Sequence, residues 1–229
     1  MDVAAPRARD TPSGDQEGLV FLPLSAYADQ DAARDAVLGL VQEAGNPYFD
    51  WFFGSSERAS ATLAALMRQA SSEIAARRVK LAITGGEVVG MYIALSGGQL
   101  ARCRQSDTIA LLKHAGPGAA RAAMVGKLAI SRDLFPPVDR GDFYLSKIGV
   151  VVGKRRTGVG RAIAEDFLAA GRRAGFRCFC LDVSADNQPA IRMYRALGFR
   201  IDSEQQALGM RYLSMRLVET QQPRSGRRR

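Results

Sequence analysis

Residues Leu145 to Ala162 read L-S-K-I-G-V-V-V-G-K-R-R-T-G-V-G-R-A. An apolar run, Ile148 to Val152, ends in a glycine-flanked basic turn and gives way to helical spacing. Ala162, Ile163, Phe167 and Leu168 fall on one side, with Glu165, Asp166, Arg172 and Arg173 opposite. The stretch therefore reads as strand, tight loop and helix N-terminus. Gly158 and Gly160 lack a Cβ, so the backbone turns sharply and an anion can approach the amides closely. The first N–H groups of the helix have no internal partner, and the macrodipole favours negative charge there. Lys154, Arg155, Arg156 and Arg161 add positive charge around the same point. A diphosphate suits this chemistry.

Three readings fit that loop taken alone. It serves as an ordinary strand-to-helix turn, or it opens a dinucleotide fold, since Asp182 lies about twenty residues beyond Gly160 as that fingerprint asks. Against the dinucleotide reading, Ile163 stands where a third small residue belongs, and the glycines come late in the chain. The third reading draws on the segment C-terminal to the loop and its helix. Phe176 to Val183 is a short apolar strand, and Ser184 to Phe199 reads S-A-D-N-Q-P-A-I-R-M-Y-R-A-L-G-F. Asn187 precedes a helix with Pro189 near its start and Gly198 placed as the residue past its end. The patterns Arg155-x-x-Gly158-x-Gly160 and Asn187-x-x-Ala190-x-x-x-Tyr194-x-x-x-Gly198-Phe199 resemble, in order and separation, the two signatures of the GNAT N-acetyltransferase family. The resemblance is clearest over Phe143 to Phe199 and extends over Leu19 to Val218.

The resemblance implies an α/β fold with a mixed, splayed central sheet flanked by helices, and a helical insertion between the third and fourth strands. It implies an acyltransferase, most simply an N-acetyltransferase, transferring groups other than amino-acyl groups from acetyl-CoA or another acyl-CoA to an amine acceptor by direct attack. On that analogy the backbone of Val150, Val151 and Val152 pairs with the pantetheine amides and polarises the acyl carbonyl. The amides of Arg155, Arg156, Thr157, Gly158, Val159, Gly160 and Arg161 cradle the pyrophosphate, and Asn187 hydrogen-bonds the pantetheine arm. Tyr194 matches the position that protonates the departing thiolate, where a phenol is a competent acid; otherwise it is a core tyrosine of an amphipathic helix. No glutamate stands at mid-strand between Phe143 and Val150, where many members carry one, because Ser146 and Lys147 occupy that space. Asp142, Ser146, Asp133 and Asp50 are candidate bases, and a free amine releasing its proton through water is the alternative.

The rest of the chain is consistent with that fold. At 229 residues and 47% hydrophobic content, one domain with ample core is expected. Residues 1–17 read as a polar, disordered leader without a signal-peptide core, residues 18–219 as the acyltransferase domain and residues 220–229 as a basic disordered tail. No apolar run approaches the ~20 residues needed to span a membrane. Three unevenly placed cysteines suit a reducing cytoplasm, and Cys178 and Cys180 read as packed small hydrophobes, not as a metal site.

Leu19 to Leu24 reads as the first strand and Asp29 to Ala44 as a helix. Asn46 to Gly54, which holds the only tryptophan and four other aromatics, reads as a connector packed on the core or as an acceptor wall. Ser56 to Arg77 reads as a second helix, burying Leu63, Leu66, Met67, Ala70 and Ile74. Val79 to Leu95 is a hairpin about Gly85-Gly86. The insertion, 97–141, carries helical patterns over Thr108 to His114 and Gly118 to Arg132. The lone His114 near a helix end reads as a solvated cation, and Arg121, Lys127 and Arg132 as solvated faces. Phe199 to Glu219 forms two final strands.

Four of the +9 formal charges sit in the tail. Coenzyme A phosphates account for the loop cluster, and no RNA-binding aromatic motif accompanies the basic residues, which makes nucleic acid the weaker partner. The resemblance implies a small-molecule or peptide amine as acceptor. An acidic carrier protein bearing the acyl group on phosphopantetheine is a second donor reading, and a non-catalytic acyl-CoA-binding module a third.

Overall fold

The computed structural model describes residues 18–115 and 117–220. The expected leader over 1–17 and the arginine tail from Gln221 lie outside the described residues. Seven strands form one sheet in the order β1-β2-β3-β4-β5-β7-β6, comprising β1 (Val20–Pro23), β2 (Val79–Thr84), β3 (Glu87–Ser96), β4 (Phe143–Val150), β5 (Cys178–Ser184), β6 (Arg200–Ala207) and β7 (Met210–Val218). Every pair is antiparallel except β4–β5. That mixture excludes the dinucleotide reading, which needs a parallel series.

The helices divide between two faces. On one face α1 (Gln30–Ala44), α3 (Ser56–Arg68) and α4 (Gly97–His114) bury Val37, Leu40, Leu63, Leu66 and Leu100 against Leu81, Met91, Ile93 and Leu95 of β2 and β3. On the other, α6 (Val159–Arg173) and α7 (Gln188–Ala196) bury Ile163, Phe167, Leu168 and Ile191 against Val89, Leu145, Phe179, Leu181 and Met215. The short aromatic helix α2 (Tyr48–Phe53) occupies the expected connector, and α5 (Ala119–Leu134) follows α4 between β3 and β4. The helical insertion is thus present, and longer than its two patterns predict.

Four sequence expectations need correction. The helix from Ser56 stops at Arg68 instead of Arg77, and Ala70 is exposed. Ser72 then bonds locally to the Ile74 amide at 3.3 Å, and Asp107 of α4 takes the Glu73 N–H at 3.0 Å, so these donors are lost to a helix. The helix expected over Thr108 to His114 begins at Gly97, under a capping box in which the Ser96 hydroxyl accepts from Gln99 N at 3.2 Å and the Gln99 side chain accepts from Ser96 N at 3.0 Å. Asp166 does not face solvent: Lys80 Nζ and the Tyr92 hydroxyl both donate to it at 2.7 Å, fastening α6 to the sheet. Lys127 is not a solvated cation either, for its Nζ donates to the Phe52 and Trp51 carbonyls at 2.5 and 3.2 Å and so latches α5 onto the end of α2.

Gly171 in α6 packs beneath two rings. A Cβ built there would lie 2.4 Å from Phe179 Cε1 and 2.6 Å from Phe143 Cδ1. Glycine-to-alanine changes inside helices ordinarily stabilise by about 1 kcal/mol. Here overpacking against stacked aromatics reverses the sign. Gly171→Ala should destabilise the protein by about 1–3 kcal/mol, read as a lower urea midpoint; a midpoint raised above wild type would show that the rings yield.

Candidate active site

The basic loop joins β4 to α6. After β4 the chain makes a short 3-10 turn, Val152–Lys154, and enters α6 through Gly158 in the left-handed conformation (φ 96°). No side chain caps α6, so the N–H groups of Val159, Gly160 and Arg161 remain open to an anion. Arg156 also has positive φ (62°), which turns successive amides into the loop. The side-chain charges behave differently. Arg155 folds back onto Glu43, and its Nε donates to the Val150 carbonyl at 3.1 Å. Arg161 pairs with Glu165 at 2.8 Å. Val151 and Val152 form an exposed apolar lip, Val152 at 71%.

Beside this loop the sheet parts. Pairing of β4 with β5 covers only Phe143↔Phe179, Tyr144↔Cys180 and Leu145↔Leu181. Pairing of β4 with β3 continues to Gly90↔Val150. From Ser146 to Val150, β4 therefore has a partner on one side only. A register shift between Ile93 and Ala94 leaves Ser146 as an extra residue, a bulge that strengthens local twist. Val151 N donates to Val89 O at 3.0 Å, so by antiparallel alternation the groups of Val150 point into the opening.

α7 borders the same opening. A Cβ on Gly160 would lie 3.7 Å from both Val150 Cγ2 and Met193 Sδ. Asn187 caps α7, accepting from Ala190 N at 3.2 Å. The helix ends in a Schellman arrangement: Phe199 N donates to Tyr194 O and Gly198 N to Arg195 O, both at 3.0 Å, with Gly198 at φ 96°. The Phe199 and Tyr194 rings meet edge to face at 5.8 Å. Tyr194 is 3% exposed within the cluster that holds Leu145 and Ile163, and Val150 packs against that cluster. Its hydroxyl makes no hydrogen bond among the described residues, and burial pushes its pKa up. The loop, the strand end, Asn187 and Tyr194 are thus brought to one region.

The opposite face of the opening carries a polar network that no sequence pattern announces. Glu73, from the loop after α3, accepts a hydrogen bond from Ser146 and lies 3.7 Å from Lys147 Nζ and 3.6 Å from Arg104 Nε. Burial alone would raise its pKa, but the two cations and the hydroxyl outweigh that and hold it below the usual carboxylate range. The mid-strand carboxylate absent from β4 is therefore supplied from 73 residues away; no local signal marks it. Asp182 accepts from the Tyr144 hydroxyl at 2.8 Å and the Ser214 hydroxyl at 2.5 Å. Burial raises its pKa despite both bonds. Arg104 also donates to the carbonyls of Phe135 and Pro136. Of the sequence-derived base candidates, Asp142 is held by Arg216 at 2.8 Å, Ser146 is engaged by Glu73, and Asp50 and Asp133 are exposed.

Asp107 supports this network at a cost. Its Oδ1 is buried without a hydrogen-bond partner within 3.5 Å among the described residues, and burial raises its pKa from 3.8 to about 6, against the opposing effect of the Glu73 amide and Ser72. A raised carboxyl binds its proton more tightly folded than unfolded, so its ionised form subtracts stability above about pH 6, and that loss fades as pH falls towards 4. Asp107→Asn keeps an acceptor for the Glu73 amide and removes the charge. Its melting temperature should exceed that of wild type by a few degrees at pH 8, with the gain vanishing near pH 4. An equal gain at both pH values, or none, would contradict the assignment.

A seven-stranded mixed sheet that parts between β4 and β5, beside a glycine-led helix start and with helices on both faces, defines the fold class. The profile of the acetyltransferase (GNAT) family matches residues 46–199, more than half of the chain, and the chain belongs to that family. Membership makes it an acyltransferase. Its fold is similar to that of an N-acetyltransferase from Staphylococcus aureus Mu50, with TM-score 0.61 and 13% identity over 81% of this chain and 96% of that one. It also resembles the ribosomal-protein-S18-alanine N-acetyltransferase from Escherichia coli, with TM-score 0.52 and 16% identity over 91% and 98%. A chain of the NatC complex bound to Gag peptide and CoA aligns with TM-score 0.51 and 12% identity over 88% and 99%. No curated sequence is a significant match. No helix among the described residues is long and apolar enough to cross a membrane.

Proposed function

We propose that this protein is an N-acyltransferase that moves an acetyl or other short acyl group from coenzyme A to an amine. The observation that carries the reading is the opening between β4 and β5 from Ser146 onward, next to the uncapped start of α6. In this reading the free amides of Gly158 to Arg161 take the pyrophosphate, and Arg155, Arg156 and Thr157 shape the loop around it. The pantetheine arm lies along Val150 to Val152 in place of the missing strand. The cap leaves the Asn187 amide nitrogen free to donate to that arm. Backbone donors at the opening polarise the thioester carbonyl as the amine attacks. The neutral amine nitrogen bonds the acyl carbon, the carbon–sulfur bond breaks, the thiolate takes a proton, and the surplus proton of the nitrogen leaves through water and restores the donor. Tyr194 gives the thiolate its proton: burial keeps its hydroxyl protonated, so it enters as donor and never as base.

Binding and turnover separate the parts of this reading. At Gly160 a single Cβ meets only ordinary contacts, so the fold tolerates a side chain while the amides do not. Gly160→Val should weaken coenzyme A binding at least tenfold by calorimetry, since one charge-assisted hydrogen bond is worth about 1.5–3 kcal/mol. Unchanged affinity would remove the loop from the coenzyme site. The same titration run with an acyl-carrier thioester distinguishes a carrier donor from coenzyme A.

Tyr194→Phe removes only the hydroxyl, which has no partner to lose, so packing and coenzyme affinity should survive. Turnover on an acceptor that wild type uses should fall ~10²-fold, in kcat and not in binding. Full turnover in Tyr194→Phe would make Tyr194 core alone, with water protonating the thiolate.

A further inference from the structure

We propose that Asp182 anchors the acceptor by binding an ammonium group carried on an aromatic or other apolar stem. This inference rests on the acyl-transfer reading and adds the substrate class to it.

Asp182 stands at the opening itself. The last β4–β5 pair is Leu145↔Leu181, so Asp182 is the first β5 residue past the point where the strands part. Strand alternation sends Phe179, Leu181 and Val183 into the core under α6 and α7, and Asp182 to the other face, with Tyr144 and Ser214. That is the face away from the loop that receives the phosphates, and an amine must approach the thioester from it. Asp182 is half-buried, so it is largely desolvated and still reachable.

No cation pairs with it directly. Glu73, Asp142 and Asp166, the other well-buried carboxylates in ion pairs, each have a Lys or Arg nitrogen within 4 Å. Asp182 has none among the described residues; its two partners are neutral hydroxyls, Tyr144 from β4 and Ser214 from β7. Arg104 of α4 and Lys147 of β4 influence it from farther away, and both are engaged by Glu73. Gln205 of β6 completes the surroundings through its bond with Ser214 at 3.1 Å. A sheltered carboxylate that lacks a direct ion pair offers an arriving ammonium a partner that no side chain has taken.

The neighbouring packing is aromatic, with Tyr212 itself buried. Tyr212 lies two residues before Ser214, on the same face of β7. Its ring meets Phe135 edge to face at 4.9 Å, and Phe135 meets Tyr48 at 5.0 Å. The carboxylate is thus followed by an aromatic wall, which suits an apolar stem behind an ammonium head, and ring faces themselves attract a cation. Ordinary structural work, tying β4 to β7 through two hydroxyls, is the competing role.

The test compares phenethylammonium with its neutral counterpart 2-phenylethanol, titrated into the full chain with and without coenzyme A. Wild type should prefer the ammonium tenfold or more. Asp182→Asn should lose the preference and bind coenzyme A unchanged, while Ser214→Ala, which keeps the carboxylate, should retain it. Equal binding of the two ligands by wild type, binding of neither at millimolar concentration, or a preference surviving in Asp182→Asn would overturn the assignment. The wild-type comparison stands even if Asp182→Asn fails to fold. Loss of coenzyme A binding with the ammonium preference intact would overturn the acyl-transfer reading and leave Asp182 as an amine site.

Discussion

The parting of β4 from β5 after Leu145 and Leu181 is the constraint on which the site depends. A parallel pair that stayed zipped would satisfy its own backbone groups and leave nothing for a ligand arm. Two features hold the strands apart. The bulge at Ser146 twists β4 just where pairing stops, and Glu73 fixes the Ser146 hydroxyl from outside the sheet. β3 keeps the open strand in place by pairing with it through Val150. The same strand end then feeds the loop into α6, so on the proposed function the slot for an extended arm and the cradle for its phosphates would share one backbone.

The two faces of that opening differ in kind. Under α6 and α7 the core is apolar and closely packed, with Phe143 stacked between Phe167 and Phe176 at about 5 Å. Toward α2, α4 and α5 the face beyond β3 is wired by hydroxyls and charges instead: Tyr144, Ser146, Lys147, Asp182 and Ser214. Polar groups buried this way demand partners. They get them from segments far apart in sequence, Glu73 and Arg104 among them. On the proposed function, the apolar face would give the coenzyme side rigidity and the wired face would set what an acceptor meets.

That difference explains what can be read from sequence. Elements fixed by local chemistry are legible: the strand–loop–helix with Gly158, the Asn187 cap, and the Gly198 stop of α7, because each depends on neighbours within a turn. The pattern makes α4 too short because Gly97-Gly98 resembles a loop. Its start does carry a local signal, Ser96 followed three residues later by Gln99. Gly97 is there because the Asp139 carbonyl would lie 2.0 Å from a Cβ, a tertiary reason no window contains. The early stop of α3 has the same origin, since Asp107 claims the Glu73 amide across 34 residues. Asp182 is visible in the sequence only as a ribose ligand of the dinucleotide reading, and its hydroxyl partners come from β4 and β7.

The loop's own charges point to where anion affinity arises. Four basic residues surround it, yet Arg155 is committed to Glu43 and Arg161 to Glu165, both near the surface. Exposed pairs of this kind contribute little to stability, about 0–1 kcal/mol, but they do reduce the positive charge offered to a phosphate. Lys154 and Arg156 are left without an ion pair among the described residues. On the proposed function, affinity therefore rests first on the amides and dipole of α6. A diphosphate arriving there would also compete with Glu43 for Arg155, and releasing Arg155 would uncover the Val150 carbonyl that its Nε now holds. On that reading, phosphate binding and exposure of the Val150 strand edge would be coupled through one guanidinium.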